Sequence, residues 1–137
     1  MAKKVFISYD HSEDSRYRDL LRAWDANSAF QFDFDLRSPS EPINSVNATT
    51  IKQSLTRMMK DADYLLVIIG KKSHASSWMS WEIDRAKQWD TKLRLAAVKV
   101  DYSNTTPLGL LGCGTAFATA FERDKIINAL NQASNNY

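Results

Sequence analysis

Trp78 and Glu82 stand four residues apart in the segment Ser77-Trp78-Met79-Ser80-Trp81-Glu82-Ile83. On a helix that spacing sets an indole and a carboxylate on one face. Such a pair suits an aromatic or ribose-bearing ligand. The ring offers a flat apolar wall, and the carboxylate binds sugar hydroxyls or stabilises positive charge. Breaking a glycosidic bond develops an oxocarbenium-like cation, for which a nearby carboxylate is the usual stabiliser. The same residues also fit a plainer arrangement: a glutamate near a helix N-terminus and a tryptophan packed in the core. Periodicity alone favours the plainer one.

The other reactive side chains carry less. His11 and His74 are the only histidines, and neither belongs to an i, i+4 ligand pair. They read as exposed loop residues. Asp10, Glu13 and Asp14 read as a solvated, acidic helix start, which the helix dipole favours. Cys113 is the single cysteine, which excludes an intramolecular disulfide and a four-cysteine zinc site. No metal is expected.

The elements that must position these residues alternate. Val5 to Tyr9 is a short β-rich run. Tyr17, Leu20, Leu21 and Trp24 fall at i, i+3, i+4 and i+7, which predicts a helix from Ser15 to Asn27. Phe30 to Asp35 alternates strictly and predicts a strand with one buried face. A polar loop follows to about Asn47, with Pro39 and Pro42 excluding regular structure. Ile51, Leu55, Met58 and Met59 mark a second helix. Tyr64 to Gly70 is a continuous apolar run, as in a central parallel strand covered on both faces. A third helix is predicted from Trp78 to Trp89, with Ser77 as its N-cap. Leu93 to Val100 gives a fourth strand, Thr115 to Phe121 a short fifth, and Arg123 to Gln132 a closing helix.

This alternation implies right-handed βαβ units and a parallel sheet. The fold class expected is α/β, a flavodoxin-like three-layer sandwich with five strands in the order 2-1-3-4-5. Ligands of such sheets bind at the carboxyl ends of the strands, beside the point where the strand order reverses. The loops from Tyr9 to Ser15 and from Gly70 to Trp78 flank that point. Neither carries a phosphate-binding pattern. The first has no glycine for a dinucleotide fingerprint, and the sequence holds no G-x-x-x-x-G-K-[ST]. Its acidic residues would repel the phosphate of a flavin. A phospho-receiver needs an aspartate at the end of the third strand, where this chain has Gly70.

Bulk properties set the frame. The 137 residues suit one domain, residues 1–137, with 44% hydrophobic and 25% charged residues. A net charge of +2, from 18 basic and 16 acidic residues, gives no case for nucleic acid or an anionic membrane surface. The chain lacks a run approaching the roughly 18 apolar residues of a membrane span. A cytoplasmic protein is expected.

Val5-Phe6-Ile7-Ser8-Tyr9 before an acidic helix start resembles the first box of TIR domains. Ile68-Ile69-Gly70 followed by Ser76-Ser77-Trp78-Met79-Ser80-Trp81-Glu82-Ile83 is similar to the TIR segment with a tryptophan four residues before the catalytic glutamate. The resemblance spans about residues 4–133 and is nearest to the bacterial TIR-like branch of the Thoeris anti-phage system. It implies cleavage of the nicotinamide–ribose bond of NAD. NAD is then a substrate, with no resident cofactor, and the product is an ADP-ribose or cyclic ADP-ribose-type signal that activates a separate effector. By resemblance Glu82 is the catalytic residue, and Phe6, Ser8, Tyr9, Asp35, Ser77 and Trp78 border the substrate. The loop from Asp35 to Asn47 corresponds to the BB loop, and a homo-oligomer on activation is implied. Met79 stands where many TIR domains have cysteine, and the BB-like segment lacks the usual glycine. The alternative is a non-catalytic TIR scaffold that signals through homotypic contacts.

Overall fold

The computed structural model describes residues 3–26, 32–35 and 45–137, and for 25, 26 and 32–35 it describes the backbone. Its strands are β1 (Lys3–Ser8), β2 (Phe32–Asp35), β3 (Tyr64–Ile69), β4 (Arg94–Lys99) and β5 (Ala116–Ala118). Its α-helices are α1 (Ser15–Ala26), α2 (Ala48–Lys60), α3 (Ser77–Ala86) and α4 (Arg123–Gln132). The strands form one sheet in the order β2-β1-β3-β4-β5, and every pairing is parallel. The expected α/β architecture with a parallel sheet is therefore present.

Residue alternation divides the core into two layers. Val5, Ile7 and Tyr9 of the first strand segment face one cluster with Tyr64, Leu66 and Ile68, covered by Leu21 of α1 and by Ile126 and Leu130 of α4. Phe6 faces the other with Leu65, Val67 and Ile69, covered by Leu55 and Met59 of α2 and by Met79 and Ile83 of α3. Every residue of β3 is buried, as a central strand between two helical layers requires. The period-2 pleat thus fixes which first-strand side chains can meet α3. Phe6 points to that layer, and Ser8, two residues on, follows it.

Two expectations about the third helix are corrected. The N-cap is Ser76, not Ser77. Ser76 is extended, with φ −77° and ψ 117°, and its Oγ accepts from the Met79 N–H at 3.2 Å. Ser77 is the first helical residue. The helix also ends at Ala86 instead of Trp89. The Thr91 hydroxyl donates to the carbonyls of Arg85 and Ala86 at 2.8 and 3.1 Å, and Lys92 turns the chain with φ 43°. Trp89 is left outside the helix and 89% exposed.

Candidate functional site

The core-facing stripe of α3 consists of Met79, Glu82, Ile83 and Ala86, at i, i+3, i+4 and i+7. Glu82 therefore occupies a position that packing alone would fill with an aliphatic residue. It is 1% exposed. Ser8, at the carboxyl end of β1 and fully buried, donates its hydroxyl hydrogen to Glu82 Oε1 at 2.7 Å. Glu82 Oε2 is buried and has no hydrogen-bond partner among the described residues. Burial pushes the carboxyl up to about 8, against the opposing pull of the Ser8 hydrogen bond. At neutral pH the group is largely protonated.

This placement bears on the plainer reading of Glu82 as a glutamate that merely lies near a helix N-terminus. The side chain is instead enclosed, at a cost. An unpaired buried polar atom costs about 1–3 kcal/mol, and an ionised one more. Such groups are uncommon in native folds, and carboxyls strongly raised by burial cluster at functional sites.

The structure brings Ser8 and Glu82 together and distributes the other candidates around them. Phe6 is fully buried in the layer beneath α3, in one core cluster with Met79 and Ile83. Tyr9 faces the opposite layer and is 2% exposed. Its hydroxyl accepts from Arg18 at 3.2 Å. Asp35 ends β2 opposite Phe6, and its side chain lies outside the described residues. Ser77 is exposed at the start of α3. Trp78 is half-buried against the α2–α3 core and meets Trp81 edge-on, with ring centroids 5.9 Å apart. Most of the BB-like segment, residues 36–44, lies outside the described residues.

Asp14 was expected to be solvated and is not. It is 4% exposed, and its Oδ2 has no partner among the described residues. Burial, then the charges of Asp10 and Glu13, push it up to about 6. A Cβ built on Gly70 would overlap the Asp14 carboxyl. Gly70 is thus the seat of Asp14, and the end of β3 has no room for the aspartate of a phospho-receiver. Glu13 and Asp10 behave as expected of surface acids. Glu13 pairs with Lys72 at 3.0 Å, and Asp10 caps the turn at Ser12. His11 and His74 are both exposed.

Two contributors escape sequence reasoning. Ser73 is fully buried, accepting from the Gly70 N–H at 2.8 Å and donating to the Ile68 carbonyl at 3.1 Å, and so locks the loop leaving β3. Ser76 then caps the start of α3, the helix that carries Glu82. Their only signal is a serine-rich stretch between a strand and a helix, which does not say which hydroxyl does which task.

A family model for the TIR-like domain of the Thoeris protein ThsB matches residues 6–105. The match takes in β1 with Ser8, the loop after β3, and α3 with Trp78 and Glu82. Comparison with curated proteins gives no match. The match runs through most of the chain and carries both halves of the Ser8–Glu82 contact, so the chain belongs to the family of TIR-like domains of the Thoeris protein ThsB.

Proposed function

We propose that this domain cleaves NAD at the nicotinamide–ribose bond and releases an ADP-ribose or cyclic ADP-ribose-type signal that activates a separate anti-phage effector. The supporting observation is Glu82, a carboxyl enclosed in the core-facing stripe of α3 with one oxygen unpartnered and no partner cation among the described residues. Its place near the carboxyl end of β1, beside the strand-order reversal, is where such sheets hold ligands.

In this reading NAD approaches with its positively charged pyridinium ring, which favours the carboxylate form of Glu82. The C–N glycosidic bond breaks, and its electron pair leaves with the nicotinamide nitrogen, which becomes neutral. The ribosyl cation forms beside the free Glu82 oxygen. Water captures it with loss of a proton, giving ADP-ribose, or an adenine-side nitrogen of the same molecule captures it, giving a cyclic product. Trp78 walls the approach, and Phe6 supports the floor. Leu108, Leu111 and Phe117 are 85, 56 and 42% exposed, and they supply apolar surface for self-association on activation.

The test is nicotinamide release from NAD by concentrated wild-type protein beside Glu82→Gln, with phage lysate as trigger. Release by the wild type alone is expected. Equal release by both removes the claim, and release by neither favours the scaffold.

A further inference from the structure

We propose that Ser8 is a positioning residue for this cleavage: its hydroxyl clamps one oxygen of Glu82 so that the other faces the ribosyl cation. The proposal rests on the reading of Glu82 given above, and gives Ser8 a task other than touching substrate.

The clamp is built from two rigid parts. Ser8 ends β1 and is paired with Val67 of the central strand. Glu82 is fixed by its neighbours in the buried stripe of α3. The contact joins residues 74 positions apart in sequence, at 2.7 Å, the usual length of a well-formed O–H···O bond. A hydroxyl has one hydrogen to give. That of Ser8 is committed to Oε1, and Ser8 is fully buried, so no hydrogen is left for a ligand. Oε2 is the oxygen without a partner among the described residues.

Two effects follow. The terminal torsion of a glutamate is broad and nearly two-fold, so an unclamped carboxyl samples orientations that a clamped one does not. A donor to the carboxylate also favours its charged form. Ser8 therefore raises the fraction of Glu82 able to stabilise a cation. Among the described residues no charged neighbour does this task. Lys52, Arg57 and Lys60 on α2, Asp84 and Arg85 on α3, and Lys72 and His74 in the preceding loop have no resolved influence on the Glu82 carboxyl. Arg85 is instead forked onto Asp90 at 2.8 Å from both nitrogens.

The experiment uses the full chain as wild type, Ser8→Ala, Ser8→Cys, Ser8→Thr and Glu82→Gln. Nicotinamide release is followed from pH 6 to 10, and the Glu82 carboxyl is titrated by carbon-13 NMR. Ser8→Ala should lower kcat about tenfold at neutral pH, the worth of one hydrogen bond to a charged group, with KM within about twofold. Its ascending pH limb and its Glu82 midpoint should both move up by about one pH unit. Ser8→Cys, close in size with a weak donor, should behave alike and covers the case in which Ser8→Ala does not fold. Ser8→Thr keeps the hydroxyl and should restore the wild-type profile. An unchanged Glu82 midpoint in both weak-donor variants overturns the proposal, as does a loss confined to KM. Glu82→Gln separates the two claims. If it is silent while Ser8→Ala matches wild type, only the role of Ser8 fails. If it retains wild-type release, the reading of Glu82 fails and the role of Ser8 with it.

Discussion

Replacing Glu82 by glutamine should make the protein more stable at alkaline pH and change it little at acid pH. The sign follows from proton linkage. Burial holds the folded carboxyl at about 8, above its ordinary value of 4.5. Between these values the unfolded chain has released its proton and the folded chain has not. Stability tied to the protonated group is therefore fully present below 4.5 and is lost as pH rises through 8. Each pH unit in this window is worth about 1.4 kcal/mol. The window from 4.5 to about 8 gives an upper bound near 5 kcal/mol, and interior polarisability reduces it to roughly 3–4. Glutamine has nearly the same shape, still accepts from Ser8, and does not titrate. Urea unfolding of both proteins from pH 4.5 to 9 gives the difference directly. Asp14 and all other groups titrate alike in the two proteins and cancel. The glutamine variant should match wild type within about 1 kcal/mol at pH 4.5 and exceed it by roughly 3 kcal/mol at pH 9. Parallel curves for the two proteins would mean that Glu82 is solvated in the folded state, and the account of the site would fall.

Asp14 gives the same sign in a lower window. Its folded value of about 6 lies above the ordinary 3.8, so stability falls as pH rises from 3.8 through 6. Asp14→Asn should raise the urea midpoint at pH 7.5 and leave it nearly unchanged at pH 3.5. Gly70→Ala places a methyl group into the Asp14 carboxyl and should cost about 1–3 kcal/mol. The double variant Gly70→Ala, Asp14→Gly should recover part of that loss, which a double-mutant cycle in urea would read. Lys92 holds φ 43°, a conformation that costs a side-chain-bearing residue roughly 1–2 kcal/mol. Lys92→Gly should therefore raise Tm by a few degrees, and a fall in Tm would show that the lysine side chain over the Tyr137 ring matters more than the backbone.

The layering of this fold is legible because period does the work. The all-apolar run of β3 and the helical spacing of Leu55 and Met59 each admit one burial pattern, and the structure has it. Helix ends are less legible. Ser76 and Ser77 are chemically equivalent caps, and only the backbone angle at Ser76 decides between them. The end of α3 depends on Thr91, whose hydroxyl reaches back to carbonyls five and six residues earlier. The site is half legible. Spacing puts Trp78 and Glu82 on one helix, but not which way that helix is rotated. The burial of Glu82 follows from its place between Met79 and Ile83 in the stripe, which reads as apolar once Glu82 is allowed to belong to it. Asp14 was hidden because an acid at a helix start is most often solvated. Its burial depends on the missing side chain of Gly70, 56 residues away in sequence and adjacent in space.

The most direct measurement of the central claim is kcat/KM for NAD across pH 5.5 to 9.5, wild type beside Glu82→Gln. This ratio reports the ionisation of the free enzyme. The expected wild-type profile rises about tenfold per pH unit and levels near pH 8, where the buried carboxyl ionises, while Glu82→Gln stays at background throughout. A flat or falling wild-type profile, or a glutamine variant that follows the wild-type curve, would contradict Glu82 as the carboxylate that meets the ribosyl cation.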